Sequence, residues 1–244
     1  TAATMTNVDA IHPGYGFLSE NKRFAEIIEE HRIKFIGPSS NHIAMMGNKI
    51  DAKKIMEQNK VPTVPGLNET NNIDKINEFI DKVKLPVIIK AANGGGGKGM
   101  RVVNSKEEIK KSINSAKIES KKSFNNDTVY IEKFLTSPKH IEIQILADSH
   151  GNVVTLGERD CSIQRKHQKL IEEGPSTILT QNQRDEICNL SREAIKSIGY
   201  EGLGTLEFLF ENNKFYFMEM NTRLQVEHPV SEEIYNFDLV KEQI

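Results

Sequence analysis

Apolar and polar positions alternate with a period of two at several places along the chain, and these mark its strands. In 140–148, Ile141, Ile143 and Ile145 alternate with His140, Glu142 and Gln144, a half-buried strand with its polar groups gathered on one face. Two more apolar strands, 204–211 and 215–220, adjoin across Asn212-Asn213, and shorter ones fall at 8–11, 34–36, 86–91, 100–103, 129–135 and 153–156. Helical spacing predicts helices over 21–31, 49–59 and 73–83, with others capped by Ser39, by Ser105 and by Thr180, and a last one over 238–244. The strand-helix-strand-helix order of 8–46 is that of a parallel α/β unit, and the whole is α/β (α+β). Two prolines and a glycine in 61–66 make the best boundary.

Polar residues set into apolar strands carry the candidate chemistry. Glu219, Asn221, Arg223, Gln225 and Glu227 are all odd-numbered and share one face while the chain stays extended; Glu207 lies on the preceding strand. Two carboxylates and an amide oxygen suit a hard cation such as Mg²⁺, with Arg223 as an anion clamp and Glu227 as a base. Glu207 and Glu219 share a face only if the hairpin has the right parity. A two-residue loop would set Glu207 against Met218 and turn Glu219 away. The expectation is therefore a three-residue loop, 211–213, with Asn213 left-handed and Glu207 facing Phe217, in a hairpin interior to its sheet.

The run 93–99 places a glycine-rich loop between two short strands. It lacks the helix and the Lys-Ser/Thr of a P-loop, and instead suits a flap over a triphosphate, with Lys98 on the flap and Lys90 at the end of the preceding strand. The charge-dense run 158–169 has the composition of a solvated loop. Composition narrows the class: 244 residues, 37% hydrophobic, 27% charged and a formal net charge of -2 describe an ordinary globular chain. Near-neutral charge gives no reason to expect nucleic acid or a membrane surface as partner. Cys161 and Cys188 lack metal-ligand spacing, and a reducing cytoplasm is the simplest compartment. Thr1 is not an initiator, and both ends look cut.

Four motifs occur in order: His12-Pro13-Gly14-Tyr15-Gly16-Phe17-Leu18-Ser19-Glu20-Asn21; the glycine loop; Arg159-Asp160-Cys161-Ser162 with Gln164-Arg165; and Glu219-Met220-Asn221 with Arg223 and Gln225-Val226-Glu227-His228-Pro229. Together they resemble biotin carboxylase, the ATP-grasp component of the biotin-dependent carboxylases. The resemblance implies the end of an N-terminal α/β (Rossmann-like) domain over 1–47 and an ATP-grasp domain over 48–244, with a mobile lid at about 62–134. It implies ATP, Mg²⁺ (or Mn²⁺) and carrier-bound biotin as cofactors and substrate. The nucleotide would meet Lys49, Lys90, Gly96, Gly97, Lys98, Glu132, Lys133, Leu135, His140, Gln164, His167, Glu207, Leu209 and Glu219. Glu207, Glu219 and Asn221 would hold the metal. Lys169, Arg223, Gln225 and Val226 would surround bicarbonate, with Glu227 as base. Implied partners are a biotin carboxyl carrier protein, carboxyltransferase subunits and, at full length, a second copy. The details favour the biotin carboxylase of acetyl-CoA carboxylase, in fatty acid synthesis, over pyruvate carboxylase. A carbamoyl-phosphate-type ligase and a non-catalytic ATP-binding module stand as alternatives. Asn93 and Lys98 depart from the family's usual glycine and arginine.

Overall fold

The computed structural model describes residues 1–92, 100–166 and 168–244. The chain enters through a short helix, α1 (Ala2–Thr6), ahead of the strand expected to come first. Then follow β1 (Ala10–Ile11), α2 (Lys22–Glu30), β2 (Lys34–Phe35) and α3 (Ser40–Gly47), with β1 and β2 parallel. Asn21 caps α2 by accepting from the Phe24 N–H, and Ser39 caps α3 by accepting from the His42 N–H. Ala25, Ile28, Phe35 and Ile43 form the small core between them.

α4 (Lys49–Gln58) leads through an extended segment to β3 (Gly66–Leu67), α5 (Ile73–Val83), β4 (Val87–Ala91), β5 (Arg101–Val103), α6 (Ile109–Phe124) and β6 (Val129–Lys133). The four strands make an antiparallel sheet in the order β3-β6-β4-β5. Its two faces follow residue parity. Val87, Ile89, Val129 and Ile131 pack under α5 and α6 against Ile76, Ile80, Ile109 and Ile113. The even-numbered Ile88, Lys90, Tyr130 and Glu132 point the other way, into a cleft. Ser105 does not cap α6: residues 106–108 form a turn, and the helix starts at Ile109.

The second sheet is built from β7 (Lys139–Ala147), β8 (Val153–Arg165) and β9 (Gln168–Glu173) and, after α7 (Gln181–Ser197), from β10 (Gly202–Glu211) and β11 (Lys214–Asn221); α8 (His228–Tyr235) and α9 (Leu239–Gln243) follow. Its order is β11-β10-β7-β8-β9. Ile141, Ile143, Leu206 and Phe208 pack with Ile187 and Ile195 of α7 and Met56 of α4. His140, Glu142 and Glu207 occupy the opposite face.

Three expectations are corrected here. The charge-dense run 158–169 is not a loop: β8 continues to Arg165 and pairs back on β9. Its buried charges, Glu158 and Arg159, are tolerated because they are answered: Glu158 accepts from Arg184 Nε at 2.7 Å and from the Ser176 N–H at 3.0 Å, and Arg159 enters a network described below, while Arg165 and Lys166 stay exposed. The hairpin 202–221 is not wholly interior, because β11 is an edge strand; α4 covers that edge, and the Phe217 N–H donates to the Pro62 carbonyl at 2.7 Å. The hairpin loop has two residues, not three. Asn212 and Asn213, at φ 52° and 59°, make the tight turn, and Glu211 pairs with Lys214.

Candidate active site

The parity that a two-residue turn would spoil is restored inside the strands. The ladder runs regularly from Glu211–Lys214 to Phe208–Phe217, then slips by one residue, so that Met218 is extra and Glu207 stands directly opposite Glu219. This β-bulge puts both carboxylates on one face, with Thr205 opposite Asn221 one same-face pair on. The Asn221 amide donates to Glu207 Oε1 at 2.6 Å.

The polar faces of the two sheets, with α4 and the segment after β11, enclose a cleft of about 580 Å³. Lys49, Lys90, Glu132, Lys133, Leu135, His140, Gln164, Lys169, Glu207, Leu209, Glu219, Asn221, Arg223, Gln225, Val226 and Glu227 all line it. Gly96, Gly97, Lys98 and His167 lie outside the described residues. The lining sets apolar side chains, among them Ile88, Tyr130, Phe134, Leu209 and Met218, beside a dense array of ions.

Lys169 is the hub of that array. Its ammonium contacts Glu142, lies 3.1 Å from Glu207 and 2.6 Å from Glu227. Burial alone would push Lys169 down, but the three carboxylates outweigh it and hold the group above the ordinary lysine range. Burial likewise pushes Glu227 up, and Lys169 more than reverses this, so Glu227 stays ionised below its usual value. His140 Nε2 sits 3.1 Å from Glu142 and 3.0 Å from Glu207; burial opposes its charge, yet these carboxylates raise it to about 9.

Behind this layer lies Arg159, fully buried at 0% exposure. It donates to Gln225 Oε1 at 2.6 Å, Gln144 Oε1 at 2.7 Å, Ser231 Oγ at 2.9 Å, Glu142 Oε2 at 3.2 Å and Thr205 Oγ1 at 3.3 Å. Gln225 passes the order on, donating to Glu207 Oε1 at 3.1 Å. From the N-terminal motif, Glu20 accepts from the Thr222 N–H and from Arg223 Nε, each at 2.9 Å, which fixes Arg223 at the mouth of the site.

At the other side Lys49 pairs with Glu219, and Lys90 lies 2.7 Å from Glu132 Oε2. Burial, then the nearby Lys49, lowers Lys90 to about 8. Lys133 turns its ammonium to the carbonyls of Lys84, Leu85 and Pro86. Gln164 donates to the Cys161 carbonyl at 2.8 Å and meets His140 Nδ1 at 3.0 Å.

Glu142, Arg159, Glu20 and Lys53 belong to this arrangement but were not among the candidates. Glu142 was legible as the neighbour of His140 on the polar face of its strand. Lys53 lies one turn beyond Lys49 on α4 and therefore on the same helix face. Arg159 and Glu20 gave no signal beyond their motifs, because their partners are far away in the chain.

A smaller antiparallel sheet and a larger antiparallel sheet, clasping a cleft in which lysines and carboxylates are paired, define an ATP-grasp arrangement. Residues 48–244 match the carbamoyl-phosphate synthase L chain, ATP binding domain, and residues 1–43 match the biotin carboxylase, N-terminal domain. The chain belongs to the biotin carboxylase family. It is 54% identical over 245 residues to the biotin carboxylase of Haemophilus influenzae, covering 100% of this chain and 55% of that protein. It is 50% identical over 245 residues to the biotin carboxylase of Pseudomonas aeruginosa, again covering 100% and 55%. The pyruvate carboxylase of Bacillus subtilis is 49% identical over 243 residues, covering 99% of this chain and 21% of that longer protein. The chain thus spans about half the length of the biotin carboxylases it matches. The Campylobacter jejuni biotin carboxylase–βγ-ATP complex superposes with a TM-score of 0.95 at 47% identity, over 99% of this chain and 55% of that one. The biotin carboxylase domain dimer of Hydrogenobacter thermophilus 2-oxoglutarate carboxylase, in complex with MgADP, ADP and bicarbonate, does so with 0.93 at 45% identity, over 99% and 54%.

Proposed function

We propose that the protein to which this chain belongs uses ATP and bicarbonate to carboxylate biotin borne on a carrier protein. The observation that carries this reading is the Lys169–Glu227 pair, 2.6 Å apart, beside the opposed Glu207 and Glu219 in one cleft. Adenine would lie against the apolar side chains of Ile88, Tyr130 and Leu209, with the backbone of 132–135 at its edge. The phosphates would meet Lys49 and Lys90, and the backbone of Gly96 and Gly97 with Lys98 would cover them. Glu207, Glu219 and Asn221 offer the oxygen donors that Mg²⁺ (or Mn²⁺) requires. Such an ion, when bound, would neutralise charge on the phosphates.

Lys169, Arg223 and the Val226 backbone would hold bicarbonate. Glu227, kept ionised, takes its proton, and the freed oxygen attacks the terminal phosphorus with loss of ADP. The resulting carboxyphosphate gives up its carboxyl group to the biotin ring nitrogen, which loses its proton, and inorganic phosphate leaves. The presence of nucleotide and bicarbonate together in the Hydrogenobacter complex supports the same pairing of ligands here. The N-terminal match favours biotin over ammonia as acceptor, and so over the carbamoyl-phosphate reading. We assign the chain to acetyl-CoA carboxylase in the cytoplasm, with a carrier protein, carboxyltransferase subunits and a second copy as partners. The somewhat higher identity to a biotin carboxylase than to a pyruvate carboxylase supports this.

Bicarbonate-dependent ATP hydrolysis by the full-length protein should rise with free biotin and not with ammonia. Glu227→Gln should lower that biotin-dependent rate by about 10²–10⁴-fold with nucleotide affinity kept, since only a base is lost. If it chiefly raised the ATP requirement, the base assignment would be wrong. Reconstitution with the carrier protein and carboxyltransferase of each enzyme in turn should give malonyl-CoA rather than oxaloacetate; the reverse would move the protein to pyruvate carboxylation.

A further inference from the structure

Lys53 does not line the cleft, yet it is buried at 8% exposure directly behind it. Its ammonium pairs with Glu132 Oε1 and stands 5.2 Å from the centre of the Tyr130 ring, whose face offers a second, weaker attraction. Glu132, only 1% exposed, is shared: Lys53 takes one carboxylate oxygen and Lys90 the other, at 2.7 Å. One buried anion therefore faces two lysines, and burial with the like charges of Lys90 and Lys49 works against the Lys53 ammonium while both are present. A single lysine would suffice to pair it, and burying a second without need is costly. The excess is resolved if one of the two is drawn elsewhere when a ligand arrives, and only Lys90 reaches the cleft.

We propose that Lys53 is a standing counter-ion that releases Lys90 from Glu132 so that Lys90 can serve the nucleotide's phosphates. This rests on the ATP-site reading above. Lys53 approaches from α4, on the large-sheet side, whereas Glu132 and Lys90 belong to the small sheet, so the pair also ties the two together beneath the cleft. Without Lys53, moving Lys90 to a phosphate would strand a carboxylate in the interior. Lys90 would then stay on Glu132, and ATP would bind only the minor fraction in which it is free. Lys53 is thus a positioning residue acting through Lys90.

The test is a double-mutant cycle on the full-length protein, reading ATP and adenosine affinity by calorimetry. Lys53→Met should weaken ATP binding about tenfold, as expected if Lys90 is free a tenth of the time. It should leave adenosine binding unchanged, and Lys53→Arg should restore ATP binding. In a Lys90→Met background, Lys53→Met should cost little further, which a mere loss of positive charge near the phosphates would not reproduce. Equal losses in the two backgrounds, or wild-type affinity in Lys53→Met, would overturn the proposal. Should Lys53→Met fail to fold, Lys53→Gln keeps a polar group in place without the charge and must likewise weaken ATP binding about tenfold with adenosine binding unchanged; wild-type ATP affinity there would equally overturn the proposal. Absence of ATP binding by the wild type is a different result, one that removes the functional reading itself.

Discussion

Arg159 shows how much of this site is decided by one side chain set behind the cleft. Its guanidinium is planar and presents several N–H groups at fixed angles, and here they meet five side chains from β7, β10, α8 and the 223–227 segment. Removing it would strip Glu142 of one cation while leaving Lys169 and His140 beside it. We therefore expect Arg159→Met to cost stability near the lower end of the range for a broken buried pair, about 3 kcal/mol, read from urea unfolding. Arg159→Lys should recover only part, because a point charge cannot bond Gln225, Gln144 and Ser231 together. An unchanged midpoint for Arg159→Met would show that the network is not what orders the segment. The residue's place in the chain hid its importance. Arg159 sits in a run as charged as any surface loop, and only the partners supplied by distant strands make its burial tolerable. By contrast, the alternation of His140, Glu142 and Gln144 with three isoleucines was plain in the sequence, because a strand's own period displays it.

At the level of elements, the hairpin of β10 and β11 separates what local patterning settles from what it leaves open. The number of residues between Glu207 and Glu219 required one irregularity if both were to face the cleft, and the structure has one. Asn-Asn fits a two-residue turn and a three-residue loop equally well, since asparagine tolerates the left-handed region in either. The choice fell to the bulge at Met218, which the apolar run Phe215–Met218 gave no means to foresee. The two loops differ in a testable way. In the observed turn Asn212 has φ 52°, whereas in a three-residue loop it would have negative φ. Asn212→Val should therefore destabilise by about 1–3 kcal/mol, and Asn212→Gly should not. Tolerance of valine in thermal melts would argue for the longer loop.

Across the whole molecule, the N-terminal α/β segment is joined to the candidate site by a contact spanning most of the chain. Glu20 nearly closes the His12–Asn21 motif, and 202 residues later its carboxylate receives the Thr222 N–H and, from the next residue, Arg223 Nε. The motif is held in shape locally, with Ser19 Oγ donating to the Gly16 carbonyl at 2.6 Å and the Gly14 N–H to His12 Nδ1 at 3.0 Å. It therefore serves as a rigid bracket for Arg223, whose Nη2 reaches Asn221 Oδ1 at 3.1 Å. Nothing in the periodicity of 8–31 could reveal this, because the information lies in a pairing between segments at opposite ends of the chain. If Arg223 clamps bicarbonate, loosening it should affect that substrate alone. Glu20→Gln keeps the size and one acceptor but loses the charge, and the contact is partly exposed to solvent, so the effect should be modest. We expect KM for bicarbonate to rise about two- to fivefold in steady-state kinetics of the full-length protein, with KM for ATP unchanged. Equal increases for both substrates would mean that Glu20 supports the cleft as a whole. A selective increase for ATP would place Arg223 on the nucleotide instead of on the anion it is argued to hold.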